Sequence, residues 1–301
     1  MTGTEKVTSL GPRQVGPSLE QTEGQWYHQQ TMNKTETKPT WRLLETGNNP
    51  AAMNMAIDEA LMLRQKEDAL PTLRFYGWTH PSFSFGYFQK IAEEVDVQKC
   101  REREIGLVRR PTGGGMVIHG WDLTYTVAVP LDNPHVPKNT LESYRIIHEC
   151  IIKGLQRLGI KAEHFSENTT VNENLRSICL TNPTKYDVLI DNKKVAGAAQ
   201  RRKRGVLLHQ GYIALDMPQD DMTNLVSTQN DLSQFVTAAS TAINAVSQHL
   251  LDRIKLVHAI ASAFETLLNV RLVSEELSPM EIDTANQLVE TKYGTDQWNF
   301  K

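Results

Sequence analysis

The stretch Arg109-Arg110-Pro111-Thr112-Gly113-Gly114-Gly115-Met116-Val117-Ile118-His119 decides the reading of this chain. Gly106-Leu107-Val108-Arg109-Arg110 has the character of a short strand that runs directly into the three glycines. Consecutive glycines let backbone approach a ligand closely and leave N–H groups available, and the two arginines favour an anion. The G-x-x-x-x-G-K-[ST] spacing of a P-loop is missing, and so is the dinucleotide fingerprint. Taken alone, the glycines fit a plain hairpin turn equally well.

Upstream, residues from about Glu93 to Glu104 have a helical pattern. Ser82-Phe83-Ser84-Phe85-Gly86-Tyr87 and the alternating, aromatic Thr72–Trp78 read as partnered strands. Ala51–Leu63 carries apolar residues at helical spacing after the break Asn48-Asn49-Pro50. Downstream, Leu123–Pro130 is a strand, and a helix from about Thr140 to Leu158 ends at Gly159. Glu167–Arg176 has the composition of a polar loop. Strands Lys185–Ile190 and Lys194–Gly197 flank the turn pair Asp191-Asn192 and form a hairpin. Gly205–Leu215 is a further strand. A long helical pattern covers about Ser240–Leu268, and Ser278-Pro279-Met280-Glu281 opens a last helix with a capping box. The order predicts one α/β core of mixed strands and helices, followed by a small helical C-terminal portion from about residue 240.

The 301 residues carry 32 Lys+Arg against 35 Asp+Glu, and a formal charge of −3 gives no general attraction to nucleic acid. Three cysteines without a C-x-x-C pair fit a reducing, cytoplasmic setting rather than a disulfide framework. The nine histidines lack zinc-site spacing, so no metal is expected. No run of about 18 apolar residues occurs, so no membrane span is expected. Residues 1–40 are polar, lack the apolar stretch of a secretory signal, and are expected to be a disordered extension.

Three further features bear on chemistry. Lys193 and Lys194 begin a small, apolar strand whose alternation sends them to opposite faces, so one can point inward. Two exposed turn lysines are the plainer reading. Cys179 lies on a loop before that hairpin, whereas Cys100 and Cys150 lie in amphipathic helices and are expected to be buried packing residues. An ammonium near a loop cysteine stabilises the thiolate, although a structural cysteine is the commoner role. Finally, Arg201-Arg202-Lys203-Arg204 reads as a solvated turn or as a docking patch for an acidic carrier protein or a phosphate-bearing ligand.

In order, these segments resemble the lipoate-protein ligase, octanoyltransferase and biotin-ligase superfamily. Arg109–His119 is similar to its R-R-x-x-G-G-G-x-V-x-H signature, and Asp187–Gln200 to its D-x-x-x-x-x-K-K-[IV]-x-G-x-A-Q signature. Ala52–Ala60 looks like its first helix, Leu73–Trp78 and Ser84–Gln89 like its next strands, and Lys292–Asn299 like its usual ending. The resemblance covers about Trp41–Phe300. It implies an α/β (α+β) catalytic domain over 41–301 in which mixed β-sheets are flanked by helices.

Within that superfamily, ligases use ATP to make lipoyl-adenylate and need no cysteine, whereas octanoyltransferases form an acyl-thioester on a cysteine. The context Ile178-Cys179-Leu180…Pro183…Tyr186-Asp187 and the segment Leu207–Gly211 are similar to the cysteine-dependent octanoyltransferases. The resemblance therefore implies Cys179 as nucleophile and Lys194 as its activator, with no cofactor. Acyl carrier protein would be the donor, and a lipoyl-domain protein such as the glycine-cleavage H protein the acceptor. It also implies that Arg110, Gly113, Gly114, Gly115, His119, Ala196 and Gly197 bind substrate. An ATP-dependent lipoate ligase, a relay from H protein to other lipoyl domains, and a non-catalytic lipoyl-domain binder are the alternatives.

Overall fold

The computed structural model describes residues 37–65, 69–166, 184–226, 236, 238–247 and 249–301. Cys179, the polar loop expected at Glu167–Arg176 and most of the expected N-terminal extension lie outside the described residues.

Among the described residues, eight strands form one mixed sheet in the order β11-β1-β2-β6-β10-β9-β8-β7. They are β1 Thr40–Asn49, β2 Thr72–Trp78, β6 Asp122–Pro130, β7 Glu163–His164, β8 Val188–Ile190, β9 Lys193–Lys203, β10 Val206–Ala214 and β11 Arg271–Glu275. β1 runs parallel to β2 and β11, and the remaining neighbours are antiparallel. A second sheet has the order β4-β3-β5, from β3 Ser82–Phe85, β4 Gly106–Arg109 and β5 Val117–His119.

Strand alternation sorts the residues of the large sheet. Leu73, Phe75, Tyr125 and Val127 face the helices Thr140–Arg157 and Arg253–Leu267 through Ile147, Ile151, Ile260 and Phe264. Gly154 lets those helices meet, because a Cβ there would stand 2.7 Å from Ile260. Tyr76, Trp78, Ala128 and Leu208 face the other way, under the helix Ala51–Arg64 and Ala285 of the helix Pro279–Leu288. The small sheet closes a third cluster around Phe83, Phe85, Cys100 and Met116.

Most of the expected elements are present, including the capping box at Ser278 and Glu281. The Asp191-Asn192 turn has φ of 49° and 61°, as a tight hairpin requires. Three expectations are corrected. β3 does not pair with β2: it pairs with β4 and β5, while β2 lies between β1 and β6. The helix expected over 93–104 is two short helices, Ile91–Glu94 and Val97–Glu102, because Asp96 accepts from Lys99 N–H and caps the second. The long helical pattern from 240 is likewise divided into Ile243–Val246 and Arg253–Leu267, the latter capped by Asp252. After it, Arg271–Glu275 returns to the large sheet beside β1.

Candidate active site

A cavity of about 370 Å³ opens between the large sheet, the small sheet and the helix Ala51–Arg64. Met55, Tyr76, Trp78, Val117 and Tyr212 give it apolar walls, and Gly197, Ala198 and Ala199 of β9 form one side. Arg110, His119 and Gly197 line it. Ala196 does not: alternation turns its methyl into the helix-covered core with Ile213 and Val188.

Lys194 is the inward lysine of its pair. Its side chain is 1% exposed, and Nζ lies 2.7 Å from Oδ2 of the fully buried Asp187. A lone buried ammonium is costly, so a buried carboxylate partner is what its position demands. Asp187 is itself held by the Tyr144 hydroxyl, by Thr184 N–H at 2.7 Å and by the Thr184 hydroxyl at 3.1 Å. Ala198 N–H donates to the Tyr144 oxygen at 2.9 Å, tying this cluster to the cavity wall. Gly197 makes the arrangement possible. A Cβ there would stand 2.6 Å from Lys194 Cε and 2.8 Å from its Nζ, so the lysine occupies the space a side chain would fill.

Both arginines are tied to backbone carbonyls. Arg109 donates to the carbonyls of Tyr87, Trp298 and Asn299, and so ties the C-terminal segment to the small sheet. Arg110 donates to the carbonyls of Gly113 at 3.0 Å and Gly115 at 2.8 Å, and to Ser84. These bonds shape the glycine loop from inside. Three successive glycines keep side chains off the loop, so a ligand can approach its backbone closely. Gly86 permits the close approach, since a Cβ there would collide with Gly114 O at 1.8 Å.

Beneath the loop lies a polar chain that sequence reading did not anticipate. Asp58, on the inner side of the helix Ala51–Arg64, pairs with Arg74 Nη1 at 2.6 Å, and both side chains are fully buried. Its Oδ2 accepts from Tyr76, Thr126 and Gln210. Gln210 in turn accepts from the Thr112 hydroxyl at 2.8 Å. The charged pair therefore fixes the amide of Gln210, and Gln210 fixes the entrance to the glycine loop. The available signal was Asp58 and Arg74 standing within otherwise apolar stretches.

Both described thiols, Cys100 and Cys150, are buried. Burial pushes the Cys100 thiol up to about 11, with the Asp96 charge adding to it, and pushes the Cys150 thiol up as well. The basic run is partly structural: Arg201 donates to Pro111 O at 2.7 Å and Arg202 to Ser143 Oγ at 2.6 Å, leaving Lys203 and Arg204 exposed at the β9–β10 turn. Among the described residues, no group of three His, Cys, Asp or Glu could hold a metal, and no helix is long and apolar enough to cross a membrane.

Residues 50–265 match the lipoyl protein ligase A/B catalytic domain. The chain belongs to this family. It is 37% identical over 276 residues to octanoyltransferase LipM of Bacillus subtilis (strain 168), covering 88% of this chain and 99% of that protein. It is 38% identical to the octanoyltransferase LipM of Anoxybacillus flavithermus over the same length. A solved lipoate-protein ligase A bound with ATP superposes with a TM-score of 0.72 at 26% identity, covering 87% of this chain and 98% of that one. So does a lipoic acid-bound protein from T. acidophilum described as a putative lipoate protein ligase, with a TM-score of 0.72 at 26% identity over 88% and 99% of the two chains. The large mixed sheet with its flanking helices is thus the lipoate-ligase fold, and this family member is an acyltransferase.

Proposed function

We propose that the protein is an octanoyltransferase of protein lipoylation that carries the acyl group as a thioester on Cys179. The observation that carries the reading is the buried Lys194–Asp187 pair directly behind Gly197, at the wall of an apolar cavity. The relatives named octanoyltransferase support the acyl group. Cys179 stands five residues before Thr184, which holds Asp187. A linker of that length reaches up to about 18 Å, so covalent geometry allows the thiol to meet Lys194. The raised pKa values of Cys100 and Cys150 make neither a competing nucleophile.

In this reading the Lys194 ammonium stabilises the Cys179 thiolate. The thiolate attacks the thioester carbonyl of octanoyl-acyl carrier protein. The tetrahedral oxyanion is met by N–H groups of Gly113–Gly115, each such donor being worth about 3 kcal/mol. Collapse expels the carrier thiolate, which takes a proton, and leaves octanoyl-Cys179. The lysine of a lipoyl-domain protein, the glycine-cleavage H protein first among them, then attacks to form the amide and regenerate the thiol. Thioester to amide is downhill and requires no ATP.

The test is intact-protein mass spectrometry after mixing with octanoyl-acyl carrier protein, without ATP. A hydroxylamine-sensitive octanoyl adduct that maps to Cys179, and is lost in Cys179→Ala, supports the reading. Lipoyl-adenylate formation from ATP and lipoate, with Cys179→Ala fully active, would make the protein a ligase instead.

A further inference from the structure

Ser84, His119 and Asp122 form a hydrogen-bonded line beside the cavity that transfer through Cys179 does not use. The Ser84 oxygen lies 2.7 Å from His119 Nε2, and His119 Nδ1 lies 2.9 Å from Asp122 Oδ2. All three are buried, and Ser84 and His119 both line the cavity. Asp122 is held from two further sides, by the Thr124 hydroxyl at 2.6 Å and by Gly120 N–H at 3.1 Å. Burial pushes its carboxyl up, but the adjacent imidazole and these donors bring it below the usual carboxylate range, so it is ionised at neutral pH. A carboxylate on Nδ1 places the imidazole proton there and leaves Nε2 to accept from Ser84. Trp78 stacks on the imidazole at 4.0 Å and 19°, which fixes the plane of the ring.

A hydroxyl, an imidazole and a carboxylate in this order are recognised by geometry rather than by sequence position. Here they come from two strands of the small sheet and the first residue of β6. The Ser84 oxygen also accepts from Arg110 Nη1 at 2.7 Å, a cation that favours the alkoxide. The same guanidinium donates to the carbonyls of Gly113 and Gly115, which ties the glycine loop to Ser84.

We propose that Ser84 is a second acyl-accepting nucleophile, giving the protein a Cys179-independent hydrolase activity on medium-chain acyl esters and thioesters. Ser84 Oγ attacks the acyl carbonyl while His119 Nε2 takes the hydroxyl proton. The C–O or C–S bond of the substrate breaks, and His119 returns the proton to the departing alcohol or thiol. Water then attacks the acyl-Ser84 ester with His119 as base, releasing the carboxylic acid and restoring the hydroxyl. The chemistry consumes only water. It rests on the reading above solely in that the cavity accepts an acyl chain.

The test uses the full-length Cys179→Ala protein with p-nitrophenyl octanoate and with an octyl fluorophosphonate. The expected result is a phosphonate adduct mapped to Ser84 and ester hydrolysis above buffer. Adding Ser84→Ala should abolish both, and adding Asp122→Asn should slow both by about 10²–10⁴-fold, since an amide holds the wrong tautomer. Absence of the Ser84 adduct in a protein with wild-type thermal midpoint overturns the proposal, as does hydrolysis that persists unchanged with Ser84→Ala. The octanoyl adduct on Cys179 is scored separately in the wild-type protein, so loss of one reading leaves the other standing.

Discussion

Gly197→Ala isolates the geometry of the lysine from its chemistry. The new Cβ would stand 2.6 Å from Lys194 Cε and 2.8 Å from Nζ. Ordinary carbon contacts lie near 3.5–4.0 Å, so the ammonium must withdraw by about 1 Å. Asp187 is not free to follow, because Tyr144 and Thr184 hold it. Overpacking of this kind costs about 1–3 kcal/mol, and full rupture of a buried ion pair about 3–5 kcal/mol. With Lys194 yielding at its flexible end, the expected loss is about 2 kcal/mol, read by urea denaturation at unchanged slope. Misplacing a catalytic group by about 1 Å costs on the order of 100-fold, so single-turnover acylation by octanoyl-acyl carrier protein should slow by about that factor. Combined with Lys194→Ala, the glycine substitution should cost little further, since the clash is then gone. Acylation by Gly197→Ala within threefold of wild type would refute the reasoning.

Other substitutions probe the supports. Thr112→Val leaves the Gln210 oxygen without its donor and should cost about 1–3 kcal/mol and slow acylation, whereas Thr112→Ser restores both. His148 is held down to about 4, mainly by burial, so between pH 6.5 and 4 the unfolded chain binds a proton that the folded chain does not. Stability should therefore fall on acidification through that window by on the order of 3 kcal/mol, with a flatter profile in His148→Phe. For Glu281, burial acts upward but the hydrogen bonds and charge of Arg42 bring it below its usual value. Its contribution is present above the unfolded carboxylate value and lost as pH falls through the lower folded one, and Glu281→Gln should cost about 3 kcal/mol at neutral pH. In Cys179→Ala, Cys100 and Cys150 should resist a thiol reagent at pH 8 until the protein is unfolded.

Sequence and structure agree best where a local cause is sufficient. The Asp191-Asn192 hairpin, the capping box at Ser278 and the inward turn of Lys194 follow from turn chemistry, capping and strand alternation, all of which act over a few residues. They diverge where partners are remote. Nothing within Ser82–Phe85 says that it joins β4 and β5 rather than β2, because sheet membership is settled by contacts across the whole fold. Arg109 binds backbone carbonyls that include those of residues 298 and 299, partners that no local pattern names.

By itself the sequence determined the alternation of elements, the glycine loop, the paired lysines and the likeness to a family of acyl-handling enzymes, because each is written in neighbouring residues. Only the tertiary structure decided that Asp187 neutralises Lys194, that Asp58 and Arg74 support the glycine loop through Gln210, and that Ser84, His119 and Asp122 align. The physical reason is the cost of burying charge and polar groups. A buried charge must find its partner wherever the fold brings one, and for Asp58 that partner lies sixteen residues away on another element.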